Sequence, residues 1–600
     1  MPKRSALFSL IPILLLAAAA RIVHLTQQSL WFDEGFAYSI VSSPDMFPLI
    51  AADTHPPLYY VLLRLWIAFA GDSVLALRLF SALAGILTVA VVYRIAGELE
   101  RGQVRMAQGR APIFAALLLA LADSEMVLGQ ETRMYTWHLL FACLSVWSYL
   151  RWVRQPTPAR AAWWIGFTAA LVHTYYLGLY MPLIEGLHAL IFLRGRQRIA
   201  AVGALALAGL IFLPWFLGVT LDQIRTPPPY EMFQSRPSNG DALVFFLPKY
   251  FTGQWALWIG LALLGLVALA PGANGRDTVR WRPLGSTVFA ALWLVLPVAI
   301  TFVGNFWLPI LTERKISMIA PAVAILVGRG LANLRHPARG LLLAAIVLYG
   351  VTTVDDFLPK PPWNVVGEKL ARYALPGQVA LMEVGNDGHT LNYYLQHLMP
   401  AGTPIRSLPQ WREADPDGYP TRLMTLVNAH DTVWLAAWGD EHPIFDQLRD
   451  WGYVRTMTLT TDHVGNALNA FRYDRLPADP LATFVSGMVL RAAEVHPEAG
   501  RVDLWWSADE PLAADYTVSV FLLDEAGALA AQNDSYPFLD ARPTTSWAAG
   551  EVVYDPRALD VASLPPGRYT VGVKVYTWWD GTVFPAGDGR EYVAVGVWDR

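Results

Sequence analysis

Apolar residues run in long blocks through the first three-fifths of the chain and then give way to short alternating segments. Runs at 6–25, 74–97, 111–125, 133–153, 161–175, 177–193, 199–219, 254–270, 284–304, 315–333 and 339–355 approach the ~20 residues that cross a bilayer as a helix. They predict a polytopic α-helical membrane domain over residues 1–355, with about eleven transmembrane helices. Several runs are short or broken by Pro or Gly, which is tolerated where neighbouring helices satisfy the backbone. The 57–70 segment is too short and too amphipathic to cross, and reads as a helix lying in the interface. The first run follows Lys3 and Arg4 as a secretion signal would, but many spans come after it and no cleavage site separates it from Asp33. It reads as a retained first helix.

After about residue 356 the runs shorten, and Pro359-Lys360-Pro361-Pro362 reads as a linker. Residues 356–478 alternate helical and strand patterns: 365–374, 379–384, 389–397, 432–438, 444–451 and 467–473. That alternation predicts a small α/β domain, and it contains no glycine-rich phosphate loop. Residues 479–600 carry period-two strands at 502–506, 517–523, 551–554, 569–576 and 592–598, punctuated by Glu525-Ala526-Gly527 and Pro565-Pro566-Gly567. They predict a C-terminal antiparallel β-sandwich.

Composition agrees with a chain largely in lipid: 54% of residues are hydrophobic and 16% charged. A net charge of -4 gives no reason to expect a nucleic-acid partner. The single cysteine, Cys143, excludes an intramolecular disulfide and a cysteine-based metal cluster. Basic residues sort the loops into two sets. Lys3 and Arg4; Arg101, Arg105 and Arg110; Arg151, Arg154 and Arg160; Arg194, Arg196 and Arg198; Arg276, Arg280 and Arg282; and Arg335 and Arg339 all fall in alternate loops. Those loops belong in the cytoplasm. The expectation is a multi-pass protein of the cell membrane, N-terminus cytoplasmic and C-terminal domains outside.

The opposite loops receive Asp33 and Glu34, Asp53 and His55, Asp123 and Glu125, Glu131, Arg133 and Tyr135, His173, Tyr175 and Tyr176, Asp222, and Glu313, Arg314 and Lys315. Ionisable groups gathered at one end of many helices are the pattern of a polar site at the bilayer surface. Charged groups beside a membrane helix usually face a cavity, because hydrocarbon penalises them by several kcal/mol. Asp33 and Glu34 taken alone are equally compatible with a helix stop at the interface, flanked by an aromatic belt of Trp31, Phe32, Phe36 and Tyr38.

Four stretches together carry a family resemblance: Asp33-Glu34 after the first span, His55-Pro56-Pro57-Leu58-Tyr59-Tyr60 before the interfacial helix, Glu131-Thr132-Arg133-Met134-Tyr135, and the basic pair at Arg314. Over residues 1–355 the chain resembles the GT-C glycosyltransferases, specifically the protein O-mannosyltransferase and aminoarabinose-transferase group (glycosyltransferase family 39-like). The resemblance implies transfer of a monosaccharide from a polyprenyl-phosphate donor to a hydroxyl of a protein, lipid or polysaccharide outside the cytoplasm. It implies Asp33 as base, with Glu34 sharing the role, positioning Asp33 or binding a sugar hydroxyl. Arg133 is a bidentate match for a carrier phosphate. Arg314 and Lys315 are a second cationic candidate, although the family commonly has an aromatic where this chain has Lys315. His55, Tyr135 and Tyr175 complete the candidate substrate-binding set. The chemistry fits these types independently. An attacking hydroxyl needs one base, and a departing phosphate monoester needs cations more than an acid.

A metal is a weaker expectation: one histidine among scattered carboxylates is a poor ligand set, and Asp123-Ser124-Glu125 has only the acidic spacing of a related family's metal site. No metal residues are assigned. Trp505, Trp506, Trp547, Trp578 and Trp579 could stack on sugar rings, with one of each adjacent pair expected in the core. The rival class is a non-catalytic membrane protein that binds or exports glycans. Its ionisable groups belong near the midplane, not at one face.

Overall fold

Every long apolar run within the described residues is helical. The computed structural model describes residues 4–100, 110–226, 283–307, 310–334, 336–352, 359–538 and 540–600, so the expected span at 254–270 and the arginines at 101, 105, 276, 280, 282 and 335 lie outside them. Two units emerge, Met1–Lys360 and Pro361–Arg600.

The first unit holds α1 (Arg4–Ile22), α2 (Phe32–Ser42), α3 (Met46–Ala52), α4 (Leu58–Ala70), α5 (Val74–Glu100), α6 (Ala111–Ala120), α7 (Asp123–Gly129), α8 (Tyr135–Arg154), α9 (Pro158–Val172), α10 (Tyr180–Phe192), α11 (Gly195–Trp215), α12 (Pro283–Gly304), α13 (Glu313–Ile316), α14 (Ala320–Asn333) and α15 (His336–Thr352). By length and composition three stretches qualify as spans, Val74–Glu100, Gly195–Arg225 and Arg314–Asn333, or four if a bent pair is counted as one. The expected count of eleven is therefore not reproduced among the described residues. Several apolar helices fall short of a full crossing, among them Leu58–Ala70 and Tyr176–Phe192.

The run at 111–125 departs most from a simple span. It breaks into α6 and α7 with a bend of 55°. Arg21, 1% exposed at the end of α1, explains how the break is sustained. Its guanidinium donates to the carbonyls of Ala120 (3.0 Å) and Leu119 (3.3 Å), in the last turn of α6 where the helical ladder stops. Space for it comes from Gly85, where an added Cβ would sit 2.9 Å from Arg21 Nε. At the α6–α14 crossing a Cβ on Gly328 would lie 2.7 Å from the Ala115 nitrogen, so the two backbones meet directly. Elsewhere the bundle is tied by buried polar contacts. Glu185 on α10 accepts from Trp164 Nε1 at 2.7 Å and Ser145 Oγ at 2.9 Å.

In the second unit a mixed sheet has the order β2-β1-β3-β5-β4, from β1 (Val379–Glu383), β2 (Ile405–Ser407), β3 (Thr432–Trp438), β4 (Val454–His463) and β5 (Asn466–Asp474). β2, β1 and β3 are parallel, and β5 and β4 add an antiparallel hairpin. Its turn puts both Val464 (φ 51°) and Gly465 (φ 78°) in the left-handed region, as a two-residue hairpin requires. Two further sheets follow from β6 (Ala482–Thr483), β7 (Met488–His496), β8 (Arg501–Ala508), β9 (Thr517–Leu523), β10 (Leu529–Ser535), β11 (Val553–Ala558), β12 (Arg568–Tyr576), β13 (Val583–Phe584) and β14 (Val593–Asp599). One runs β11-β8-β7-β6 and the other β10-β9-β12-β13, with β14 on β12. Leu504, Trp506, Val520 and Val573 from the two sheets share one core. Pro556 sits in β11, an edge strand, where its missing N–H costs no ladder bond.

The tryptophans divide differently from expectation. Trp505 and Trp506 point to opposite faces, yet both are buried. Trp506 enters the shared core, and Trp505 donates to Asp474 at the end of β5 (2.8 Å). Trp578 and Trp579 both stay exposed because they lie in the turn after β12, beyond the pleat that would turn one inward.

Candidate active site

The turn from α1 into α2 positions the two carboxylates. Glu34 occupies the third position of α2, and its side chain accepts from the Trp31 backbone N–H (3.3 Å), one half of a capping box. This ties Glu34 inward and leaves its neighbour Asp33 on the outer side of the same turn. Glu34 is fully buried. Arg78 of α5 grips it bidentately, Nε to Oε1 and Nη2 to Oε2, both at 2.8 Å. The Thr132 N–H adds 2.9 Å to Oε1, and Lys360 Nζ reaches Oε2 at 3.1 Å. Arg78 also donates to the carbonyls of Leu25, Gln28 and Ser29, so one guanidinium fixes the whole connection between α1 and α2.

Asp33 faces a different set of cations. Its Oδ2 lies 2.9 Å from Arg314 Nη1 and 3.9 Å from Arg133 Nε, while Arg133 Nη1 donates to the Asp33 carbonyl at 3.2 Å. Arg314 bridges onward to Glu131 Oε1 at 3.4 Å. The Asp33 side chain is 20% exposed and that of Arg314 34%, so this pair, unlike Glu34–Arg78, is open to solvent. Aromatic rings enclose it. The Arg314 guanidinium sits 4.1 Å from the Trp31 ring and 5.9 Å from Tyr135. Tyr135 meets Tyr175 edge-on at 6.0 Å, and His55 stacks on Tyr175 at 5.6 Å. His55 Nδ1 lies 3.0 Å from Asp53 Oδ2, which also accepts from the Tyr60 hydroxyl at 2.7 Å.

Asp33, Glu34, His55, Arg133, Tyr135, Tyr175 and Arg314, scattered over nearly three hundred positions, thus share one cluster. Lys315 lies beside Arg314 on α13, half-buried, and it is the Arg314 head group that reaches the carboxylates. His173 is turned away: its Nδ1 meets the Ala169 carbonyl at 2.7 Å and its ring packs on Phe212. The sequence motifs do not single out Arg78 or Lys360. An arginine inside the apolar run 74–97 is itself a signal of a working or paired charge, since hydrocarbon does not hold one unpaired. Lys360, between two prolines of a linker, carries no such signal. Among the described residues no group of three or more His, Cys, Asp or Glu side chains is arranged to hold a metal ion.

Burial alone would raise the Glu34 carboxyl, but the charges of Arg78 and Lys360 and the hydrogen bonds from Arg78 and Thr132 outweigh it and hold it far below the usual range. Asp53 behaves alike, with His55 and Tyr60 overcoming its desolvation. Glu131 goes the other way, because burial outweighs Arg314 and Lys360 and raises it. A carboxylate with a depressed folded-state pKa stabilises the fold above its unfolded pKa and loses that contribution as pH falls through the folded value. The solubilised protein is expected to keep its melting temperature from neutrality to about pH 5 and to lose it progressively below about pH 4. A melting temperature unchanged down to pH 3 in circular dichroism would contradict these pairings.

Three comparisons bear on this cluster. Residues 54–221 match the family model described as dolichyl-phosphate-mannose-protein mannosyltransferase. That stretch includes His55, Arg133, Tyr135 and Tyr175 but neither Asp33 nor Arg314. No curated protein matches the chain in sequence. Among solved structures, ArnT from Cupriavidus metallidurans in the apo state is similar at 15% identity and a TM-score of 0.51, over 78% of this chain and 98% of that one. The same protein bound to undecaprenyl phosphate gives 14% and 0.49 over 77% and 97%. The oligosaccharyltransferase of Archaeoglobus fulgidus, in complex with Zn and sulfate, gives 11% and 0.45 over 97% and 99%. At such identities the likeness to ArnT is one of fold. The likeness to the GT-C group is borne out by the family model over residues 54–221 and, in fold, by ArnT.

Proposed function

We propose that this chain is a membrane glycosyltransferase that moves a monosaccharide from a polyprenyl-phosphate carrier to a hydroxyl on the outer face of the membrane, with Asp33 as the base. The observation that carries the reading is the Asp33 carboxylate held against Arg314 and Arg133 inside a wall of Trp31, Tyr135, Tyr175 and His55. A base, two phosphate-matched guanidiniums and aromatic rings suited to a sugar face are the parts this reaction uses. The match to a mannosyltransferase family model supports the same class.

Arg314 meets Asp33 through one nitrogen in this structure, whereas its fork can take two oxygens of a phosphate at once. Donor binding then draws Arg314 onto the carrier phosphate and leaves Asp33 to accept the proton of the acceptor hydroxyl. The hydroxyl oxygen forms its bond to the anomeric carbon as the carbon–oxygen bond to phosphate breaks, and the cations take up the charge on the departing phosphate. Direct attack inverts the anomeric centre. Glu34, with its carboxylate occupied by Arg78, Thr132 and Lys360, positions the turn that carries Asp33. The reading keeps the basic loops in the cytoplasm and puts the α/β and β-sandwich portions of Pro361–Arg600 outside.

Arg314→Lys keeps the charge but loses the fork, so it is expected to raise the donor KM by about tenfold or more, a loss in the range of one charged hydrogen bond. An unchanged KM in a donor titration would remove Arg314 from the phosphate. The reading as a whole is tested with radiolabelled polyprenyl-phosphate monosaccharides in proteoliposomes supplied with membrane-extract acceptors. Turnover of one donor supports it; no turnover of any donor, with extracts from several envelopes, counts against it.

A further inference from the structure

The end of α8 remote from the site carries a second arrangement of charge and aromatic rings. Helix α8 has 20 residues, so at ~1.5 Å per residue its two ends lie about 30 Å apart, the thickness of a hydrocarbon core. Tyr135 begins it at the site. Its last turns and the first turns of α9 enclose a half-open groove of about 250 Å³ lined by Trp147, Ser148, Arg151, Arg160, Trp163 and Phe167.

Two features mark the groove. Its two charges are positive and, among the described residues, have no counter-charge. Neither Arg151 nor Arg160 has a carboxylate partner among the described residues, whereas the adjacent Arg154 is paired with Glu98 at 3.3 Å. Arg151 lies 5.0 Å over the Trp147 ring, and Arg160 is fixed by donating Nη1 to the carbonyls of Arg151 (3.1 Å) and Gln155 (3.2 Å). The second feature is an apolar outer wall. Trp163 is 63% exposed and stacks on Phe167 at 5.5 Å, and these rings lie on the same side of α9. Tryptophans of this kind sit at headgroup depth, with acyl chains along their apolar faces.

We propose that this groove binds the phosphodiester headgroup of an anionic phospholipid in the leaflet opposite the transfer site. Basic pockets between membrane helices take such headgroups because two guanidiniums meet the phosphate while the aromatics meet the chains. Zwitterionic lipid offers the same phosphate but cancels it with an ammonium, for which the described lining holds no carboxylate.

The test is native mass spectrometry of the full chain in detergent, with dioleoyl-phosphatidylglycerol or dioleoyl-phosphatidylcholine added at equal concentration. Wild type is expected to retain phosphatidylglycerol about tenfold better, and Arg151→Gln/Arg160→Gln to lose the preference. Arg194→Gln/Arg196→Gln, at two exposed arginines at the start of α11, is expected to keep it. Because Arg160 closes the α8–α9 turn, Arg151→Gln alone is the second variant. Its guanidinium holds no backbone group, so its loss of preference is not a folding effect. Equal retention of the two lipids by wild type, or a preference that survives both variants, overturns the proposal. So does displacement of the lipid by millimolar inorganic phosphate, which would make the groove a free-anion site.

Discussion

Asp33→Asn is expected to lower the turnover number for sugar transfer by roughly 10² to 10⁴, the range assigned to a positioned general base. Asparagine keeps the shape and the hydrogen-bonding reach of the side chain but cannot accept the hydroxyl proton. Since the Asp33 side chain is partly exposed and its ion pair with Arg314 faces solvent, its contribution to folding is about 1 kcal/mol or less. The melting temperature should therefore stay within a few degrees of wild type while transfer collapses. Activity within tenfold of wild type would move the base elsewhere.

Arg78→Met is expected to be the most destabilising single change near the site. It removes the two hydrogen bonds from Arg78 to the Glu34 carboxylate and three carbonyl donations in one stroke, leaving a fully buried charge with Lys360 and the Thr132 and Trp31 amides. Breaking a buried pair from one side costs about 3 to 5 kcal/mol. The expectation is a melting temperature lower by many degrees, with transfer lost because α2 no longer holds Asp33. Replacing both members, as in Glu34→Leu/Arg78→Met, should recover part of the stability but not the activity. A stable Arg78→Met protein would mean that Glu34 is held by something other than this ion pair.

Local pattern made much of the fold legible in the sequence. The apolar runs at 74–97 and 133–153 became Val74–Glu100 and Tyr135–Arg154 almost to the residue, and the strands at 432–438 and 517–523 kept their limits. Long periodic segments speak for themselves. What stayed hidden depends on distant partners. The run at 111–125 reads as one span because its break is sustained by Arg21, about a hundred positions earlier. Strand β4 is polar on much of its surface and turns through Val464, a β-branched residue in a left-handed conformation, so neither alternation nor turn chemistry announces it. Sites divide in the same manner. Carboxylates and arginines at one set of helix ends could be gathered by topology alone, but the separation of Asp33 from Glu34 could not. Adjacent in sequence, they part because the capping box turns one inward to Arg78 and leaves the other facing Arg314.

One displacement at the anomeric carbon, assisted by a single base, is tested most directly by the anomeric configuration of the transferred sugar, read by nuclear magnetic resonance from a donor of defined configuration. Inversion is expected, with release of one polyprenyl phosphate per sugar transferred. A product that retains the donor's configuration would require a second displacement and a nucleophile, and would contradict it.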